Sequence, residues 1–290
     1  MTSTLSRVLA ACTAAGLGLV TLTACGGGDS AGLLAQIESG NVTAGTKYDQ
    51  PGLGLRNPDG SMSGLDVDII NYVVKHIAEE KGWKEPEISW HETPSAQREN
   101  DIQNGTVGLI AATYSINKSR AESVNFGGPY LITHQALLVR SDDNAIKGLD
   151  DLDGRILCSV SGSTPAQKVK EELPSVQLQE FDTYSSCVEA LKNGSIDAIT
   201  TDATILNGYS AQSPNAFRVV DLKKKDGSQF TDEYYGIGIA KDDKEATDAV
   251  NSALEAMLKD GTFDKLVTKN LGGSEGIDPG TPGDLSFLDK

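Results

Sequence analysis

The 290 residues carry 25 basic and 41 acidic side chains, a formal net charge of −16, with 38 % hydrophobic residues. So acidic a chain excludes nucleic acid as a partner and direct electrostatic docking on anionic lipid, and any anion site needs its own local cluster of cations. The roughly 265 residues beyond the N-terminal segment suit one large domain or two lobes.

Arg7 leads into an apolar run over residues 8–23, which closes in Leu22-Thr23-Ala24-Cys25 followed by Gly26-Gly27-Gly28. A basic start, a short apolar stretch and a small-residue cleavage site describe an export signal. The run is about 16 residues long and interrupted by Gly16 and Gly18, short of the roughly 20 a spanning helix needs. Residues 22–25 resemble the bacterial lipobox, whose cysteine becomes the lipid-bearing first residue of the mature protein. Residues 1–24 are therefore expected to be removed and Cys25 lipidated, anchoring the protein extracytoplasmically on the outer face of the cell membrane. A plain secretory signal with an incidental Cys25 is the alternative. Loss of Arg7 leaves 24 basic against 41 acidic residues, a balance of −17. Residues 25–39, rich in glycine, read as a tether.

Beyond it strands and helices alternate. Residues 42–44 read as a strand. Residues 66–78 read as an amphipathic helix with Val67, Ile70, Val74 and Ile77 on one face and Gly82 past its end. A strand over 88–90, a helix over 95–104 stopped by Gly105, and a buried strand over 107–112 follow. A second series starts with a strand over 156–160 and a helix begun by Pro165, with Thr164 as its cap. It continues with strands over 176–181 and 196–201 around a helix over 186–193, where Ser186 and Glu189 have capping-box spacing. A strand over 235–240, a long helix over 244–259 and an irregular tail from Gly272 complete the chain. This order predicts α/β architecture with mostly parallel sheets, in two blocks.

Once Cys12 and Cys25 are set aside, Cys158 and Cys187 remain as an even pair in an oxidising compartment, which makes a disulfide the default and two buried thiols the alternative. His76, His91 and His134 share no metal-ligand spacing with each other or with the cysteines, so neither metal nor cofactor is expected. Catalysis is not signalled. Gly162-Ser163-Thr164-Pro165 lacks the second glycine of a nucleophile elbow, and Gly236-x-Gly238 is half of a dinucleotide fingerprint. Strong cations and hydroxyls stand instead at the ends of elements. Arg98 lies three residues after Ser95, Arg120 follows Thr113 and Ser115, and Asp202 lies just past the 196–201 strand. Ser163 and Thr164 precede a helix N-terminus, where free N–H groups favour an anion. Arginine grips a carboxylate bidentately and Asp202 can accept from an ammonium group, so together these residues make a site for a zwitterion.

The order of Gly64-Leu-Asp66-Val-Asp68, Gly105-Thr-Val107, Ala112-Thr113-Tyr-Ser115 with Arg120, Phe126-Gly-Gly-Pro129-Tyr130, Ser161-Gly-Ser163-Thr164, Ile196-Asp197-Ala198 with Asp202, and Tyr235-Gly236-Ile-Gly238-Ile resembles the polar-amino-acid solute-binding proteins of ABC importers. Within that family the likeness is nearest to glutamate-binding lipoproteins of Gram-positive bacteria. It runs from about residue 40 to 270. The resemblance implies a type II periplasmic-binding-protein fold: lobe 1 from residues 40–135 and 237–290, lobe 2 from 136–236, joined by two hinge strands and closing on a ligand. It implies a non-enzymatic, monomeric receptor whose partners are an amino acid and a membrane permease. Arg120 then matches the residue gripping the α-carboxylate, with Ser115, Ser163 and Thr164 assisting. Thr113 and Asp202 match positions that meet the α-amino group. Lys47, Ser95 and Arg98 stand where acidic-amino-acid binders hold the side-chain carboxylate, and Tyr184 where a further polar contact occurs. Glutamate or aspartate is expected, with glutamine, asparagine or another polar amino acid, or a sensory role, as alternatives. An enzyme of the dehydratase type on the same fold would need a general acid that the sequence does not offer. The chain departs from the family at Gly108, where an aspartate is usual, and at Pro51-Gly52, which lacks a stacking aromatic. Asp49 either steadies Lys47 or is solvated.

Overall fold

A computed structural model describes residues 32–273 and 276–289; the expected export signal and its Cys25 lie outside the described residues. Helix α1 (Leu33–Ser39) precedes β1 (Asn41–Thr46), and three short strands, β2 (Asp49–Gln50), β3 (Gly54–Arg56) and β4 (Met62–Ser63), form a small antiparallel sheet. Then come α2 (Leu65–Lys81), β5 (Glu87–Glu92), α3 (Arg98–Gln103), β6 (Leu109–Ile110), α4 (Lys118–Ser123) and β7 (Asn125–Thr133). The second block holds β8 (Gln135–Arg140), β9 (Ile156–Val160), α5 (Thr164–Glu172), β10 (Gln177–Phe181), α6 (Tyr184–Lys192), β11 (Ala198–Asp202), α7 (Ala203–Gln212) and β12 (Phe217–Asp221). The chain ends with β13 (Glu233–Ile239), α8 (Lys244–Lys259), α9 (Thr262–Leu271) and β14 (Asp278–Pro279).

Two mixed sheets result, ordered β14-β7-β13-β6-β1-β5 and β10-β9-β11-β8-β12. In the first, β1 is parallel to β5 and β6 while β13 runs antiparallel to β6 and β7. In the second, β9 is parallel to β10 and β11 while β8 runs antiparallel to β11 and β12. Each lobe is thus a parallel core with antiparallel strands added where the chain crosses over. The crossings occur at His134, between β7 and β8, and between Asp221 and Glu233. Gln135 pairs in the second sheet, whereas residues 233–235 pair in the first, Glu233 with Thr133. The first crossing thus lies at 134 and the second within residues 222–232.

The stripe of α2 is buried as its period requires: Val67, Ile70, Val74 and Ile77 are at most 3 % exposed. Leu65, Ile69, Val73 and Ala78 are buried as well, because α2 also packs against α8 and α9. Gly82 ends the helix in the left-handed region, at φ 69°.

Three local expectations are corrected. Residues 33–39 are helix α1, not tether, and Leu33 and Ile37 are buried against the first lobe. Gln36 of α1 accepts from the Thr43 backbone N–H and lies where a Cβ on Gly108 would reach, so the missing aspartate at 108 makes room for this helix. Ser163, not Thr164, caps α5, its Oγ accepting from the Ala166 N–H at 3.2 Å. Likewise Thr183, not Ser186, caps α6, and Tyr184 becomes that helix's first residue.

Cys158 and Cys187 form a disulfide, tying β9 to α6 with Cα atoms 5.8 Å apart and a sequence separation of 29. Closing such a loop restrains the unfolded chain by roughly 3 kcal/mol. The double variant C158A/C187A is expected to lose about that much in denaturant unfolding; a midpoint equal to the wild type would show that the bond contributes nothing to stability.

Candidate ligand-binding site

The sheets place polar residues at the carboxyl ends of parallel strands, where α/β folds present their ligand sites. Lys47 follows β1, Ser95 and Arg98 follow β5, and Thr113 and Ser115 follow β6. From the other lobe, Ser163 and Thr164 follow β9, Tyr184 follows β10, and Asp202 ends β11. Between the lobes is a small cavity lined by Ser95, Arg98, Thr113, Arg120, Ser163, Thr164, Tyr184 and Asp202, together with Pro165, Thr201 and Ile205. Eight of the ten residues expected at the site thus meet on one cavity. Lys47 and Ser115 are not among its lining residues. A wider open depression of about 560 Å³ beside α7 and Pro51-Gly52 is lined by no charged side chain, which makes it a poor site for a zwitterion.

Arg98 and Arg120 are 2 % and 7 % exposed, and each guanidinium lies 5.0 Å from the centre of the Tyr114 ring. Arg120 donates to the Ser115 carbonyl at 2.7 Å and across the cleft to the Gly162 carbonyl at 2.9 Å, with Glu99 3.4 Å from its Nε. Arg98 has only the Thr93 carbonyl, at 3.4 Å from Nε, and among the described residues no carboxylate within 4.0 Å. Burial and the neighbouring Arg120 charge lower its pKa. Lys47, 2 % exposed, sits 3.8 Å from Asp49 Oδ1; burial pushes its amine down to about 8 against the attraction of Asp49.

The acid side is organised around Asp202. Its Oδ2 accepts from the Tyr235 hydroxyl at 2.5 Å, while its buried Oδ1 has no hydrogen-bond partner. Burial, then the charge of Glu233, pushes the Asp202 carboxyl well above its usual range. Glu233 is itself raised by burial and is reached by Thr164 Oγ1 at 3.1 Å. The same hydroxyl lies 3.1 Å from Ser115 Oγ, which is how Ser115 takes part from outside the wall. Tyr184 accepts from Thr201 Oγ1 at 2.6 Å and is pushed up to about 12, chiefly by burial.

Thr113 occupies the left-handed region at φ 47°. Asp66 of α2 holds it there, accepting from the Thr113 N–H at 2.8 Å and from the Tyr130 hydroxyl at 2.6 Å. That N–H is committed to Asp66, and Thr113 Oγ1 turns to the Ala112 carbonyl at 2.6 Å and Gln50 at 3.2 Å. Asp66, Tyr130 and Tyr235 belong to motifs quoted above, yet none was assigned a role there. Glu233 and Asp49 carry no motif at all.

A scan of family models matches residues 42–273 to the bacterial extracellular solute-binding proteins, family 3. The chain belongs to that family. It is 67 % identical to the glutamate-binding protein GluB of Corynebacterium efficiens, over 98 % of both chains. It is 68 % identical to GluB of Corynebacterium glutamicum, over 99 % of this chain and 98 % of that one. The ABC transporter glutamine-binding protein GlnH of Bacillus subtilis is 32 % identical over 87 % of this chain and 92 % of its own. Among solved structures, an ancestral arginine-binding protein bound to glutamine is similar with a TM-score of 0.71 and 31 % identity, over 80 % of this chain and 98 % of that one. An ancestral amino-acid-binding protein that is a precursor of cyclohexadienyl dehydratase is 28 % identical, with a TM-score of 0.71, over 82 % of this chain and 99 % of that one. The two-lobe periplasmic-binding-protein fold expected from the motifs is therefore the fold of this chain, and its place in a family of binding proteins sets the dehydratase alternative aside.

The lobes meet closely. Gly208, inside α7, lies against the first lobe so that a Cβ there would stand 2.2 Å from the Pro51 carbonyl oxygen. Alanine in a helix interior ordinarily stabilises by about 1 kcal/mol over glycine. Gly208→Ala is expected to keep or raise the thermal stability of the protein while weakening ligand affinity at least tenfold, because the lobes can no longer meet. Wild-type affinity in this variant would mean that the α7–Pro51 seam is not part of closure.

Proposed function

We propose that this chain is the extracytoplasmic receptor of an ABC importer and captures glutamate, with aspartate as a second acidic ligand, between its two lobes. The observation that carries the reading is Arg98. It is a buried guanidinium on the cavity wall with no carboxylate in reach among the described residues. Leaving a buried charge unpaired costs several kcal/mol, and a ligand's distal carboxylate removes that cost where an amide cannot. Arg120 then takes the α-carboxylate with Thr164 and Ser163 from the opposite lobe, and the unpartnered Oδ1 of Asp202 accepts from the α-ammonium. Lys47 reinforces the potential at the distal carboxylate without lining the cavity. The names of the two Corynebacterium relatives, both glutamate-binding proteins, support the same ligand. The receptor acts as a monomer, held to the membrane through a lipid on Cys25, and delivers its ligand to a membrane permease.

Isothermal titration of the protein from residue 26 onward against glutamate, aspartate, glutamine, asparagine and arginine tests the ligand. Glutamate is expected to bind tightest. Arg98→Gln should weaken glutamate by roughly 2–5 kcal/mol and glutamine far less, whereas Arg120→Ala should weaken both alike. A wild-type preference for glutamine or arginine, or an equal loss of both ligands in Arg98→Gln, would reject the acidic-ligand reading.

The Lys47 amine gives that preference a pH dependence. Above about pH 8 the ligand-free closed protein loses this proton, while a bound distal carboxylate retains it. Glutamate binding should therefore be strongest below pH 8 and fall as pH rises, by up to about tenfold per unit. Glutamine shares the same α-groups, so the glutamate-to-glutamine ratio isolates the effect. That ratio should drop between pH 7 and 9 and become lower and flat in Lys47→Met. A ratio independent of pH in the wild type would remove Lys47 from specificity.

A further inference from the structure

Asp49 belongs to β2 of the first lobe, yet its hydrogen bonds run to the second. Its Oδ2 accepts from the backbone N–H of Ser185 at 3.1 Å. The Tyr209 hydroxyl of α7 donates to the Asp49 carbonyl at 2.6 Å and lies 3.2 Å from Oδ2. Lys47 Nζ stands 3.8 Å from Oδ1, an oxygen that is buried and makes no hydrogen bond. The side chain is 12 % exposed, so neither bulk water nor salt screens it fully.

The N-terminal turn of α6 explains why the carboxylate sits there. A helix start leaves N–H groups without intrahelical partners and concentrates positive potential. In α6 the Ser186 N–H is satisfied by Thr183 Oγ1 at 3.3 Å, a residue of the same lobe that travels with the helix. The Ser185 N–H is satisfied from the opposite lobe, by a charged group that reaches it only when the cleft is shut. The same turn carries Tyr184 into the ligand cavity, and the Cys158–Cys187 bond fixes the helix to β9. A pull on this helix start is therefore transmitted to a rigid wall of the site.

We propose that Asp49 is a positioning residue that latches the closed lobes, completing the cap of α6 from across the cleft, and that its ion pair with Lys47 ties this latch to the cations facing the ligand's side chain. This rests on the reading of the chain as an amino-acid receptor that closes on its ligand. Asp49 touches no ligand atom in this scheme; it acts by lengthening the life of the closed state. Interactions present only after closure slow dissociation and leave the encounter rate alone.

The test is rapid-mixing kinetics with glutamate and glutamine, using whichever binds the wild type more tightly as the probe. Asp49→Asn keeps size and removes the charge. Ser185→Pro removes only the N–H, at the second helical position, where α5 already carries Pro165. Each variant is expected to raise koff about tenfold with kon within about twofold of wild type. The melting temperature of the ligand-free protein should stay unchanged, which a purely structural role would not allow. The double variant should dissociate no faster than either single one, because both remove the same contact. An unchanged koff in Asp49→Asn, a loss confined to kon, or additive effects in the double variant would overturn the latch. Tighter binding of glutamine by the wild type would instead reject the acidic-ligand reading while leaving the latch fully testable with glutamine.

Discussion

Two guanidinium groups share one aromatic ring inside a cleft that excludes water, and most of the site follows from that. Arg98 and Arg120 each lie 5.0 Å from the Tyr114 ring centre, so they repel one another where the dielectric is low. A ring face offsets only part of such a cost. Arg120 is compensated by Glu99 and by carbonyls from both lobes, whereas Arg98 is left with a long contact to the Thr93 carbonyl. The protein holds unspent positive potential at one end of the cavity and, at Asp202, an unpartnered carboxylate oxygen at the other. A zwitterion carrying a second anionic group is the smallest solute that satisfies both ends at once.

Closure sets the charges as much as the residues do. Asp202 ends a strand of the second sheet and Tyr235 lies in a crossover strand of the first, yet they share a hydrogen bond of 2.5 Å. Thr204 Oγ1 is 3.0 Å from the same tyrosine hydroxyl. With the lobes apart these groups would face water, and the raised pKa of Asp202 has burial as its leading cause. The perturbed acidity is therefore a property of the closed arrangement rather than of the strand that carries the residue. An ammonium group arriving at Asp202 favours the ionised carboxylate and so favours the closed cleft in which the two meet.

Much of this is legible in the amino-acid sequence. The parallel strands announced themselves by short apolar runs, and the cations and hydroxyls just beyond their carboxyl ends marked the cavity. What stayed hidden depended on the second lobe. Asp49 reads as a neighbour of Lys47 and Glu233 as one more acid in a chain with 41 of them, and neither reading shows the contacts that Ser185 and Thr164 bring from the second lobe. Gly208 reads as a weak spot in a helix until Pro51 is packed against it. The caps of α5 and α6 were misplaced by one and three residues because neighbouring hydroxyls compete for the role, and backbone angles decide it: Ser163 and Thr183 are extended. Helix α1 reads as tether in the sequence because seven residues with two buried side chains carry too little period to register.

An anion captured by a protein of net charge −16 is a consistent outcome once distance is considered. Exposed charges more than about 8–10 Å away are largely screened at physiological ionic strength, whereas buried ones are not. Most of the 41 acids therefore act on the approach of the ligand, slowing encounter, and scarcely on the bound state. In the proposed complex the bound state is governed by groups inside the closed cleft: the guanidiniums of Arg98 and Arg120 on its wall, the nearby Lys47, and acids that either meet a ligand cation or hold the lobes together. Affinity in such a receptor must be won through slow release, which is why contacts between the lobes belong to the binding site as fully as the residues that touch the ligand.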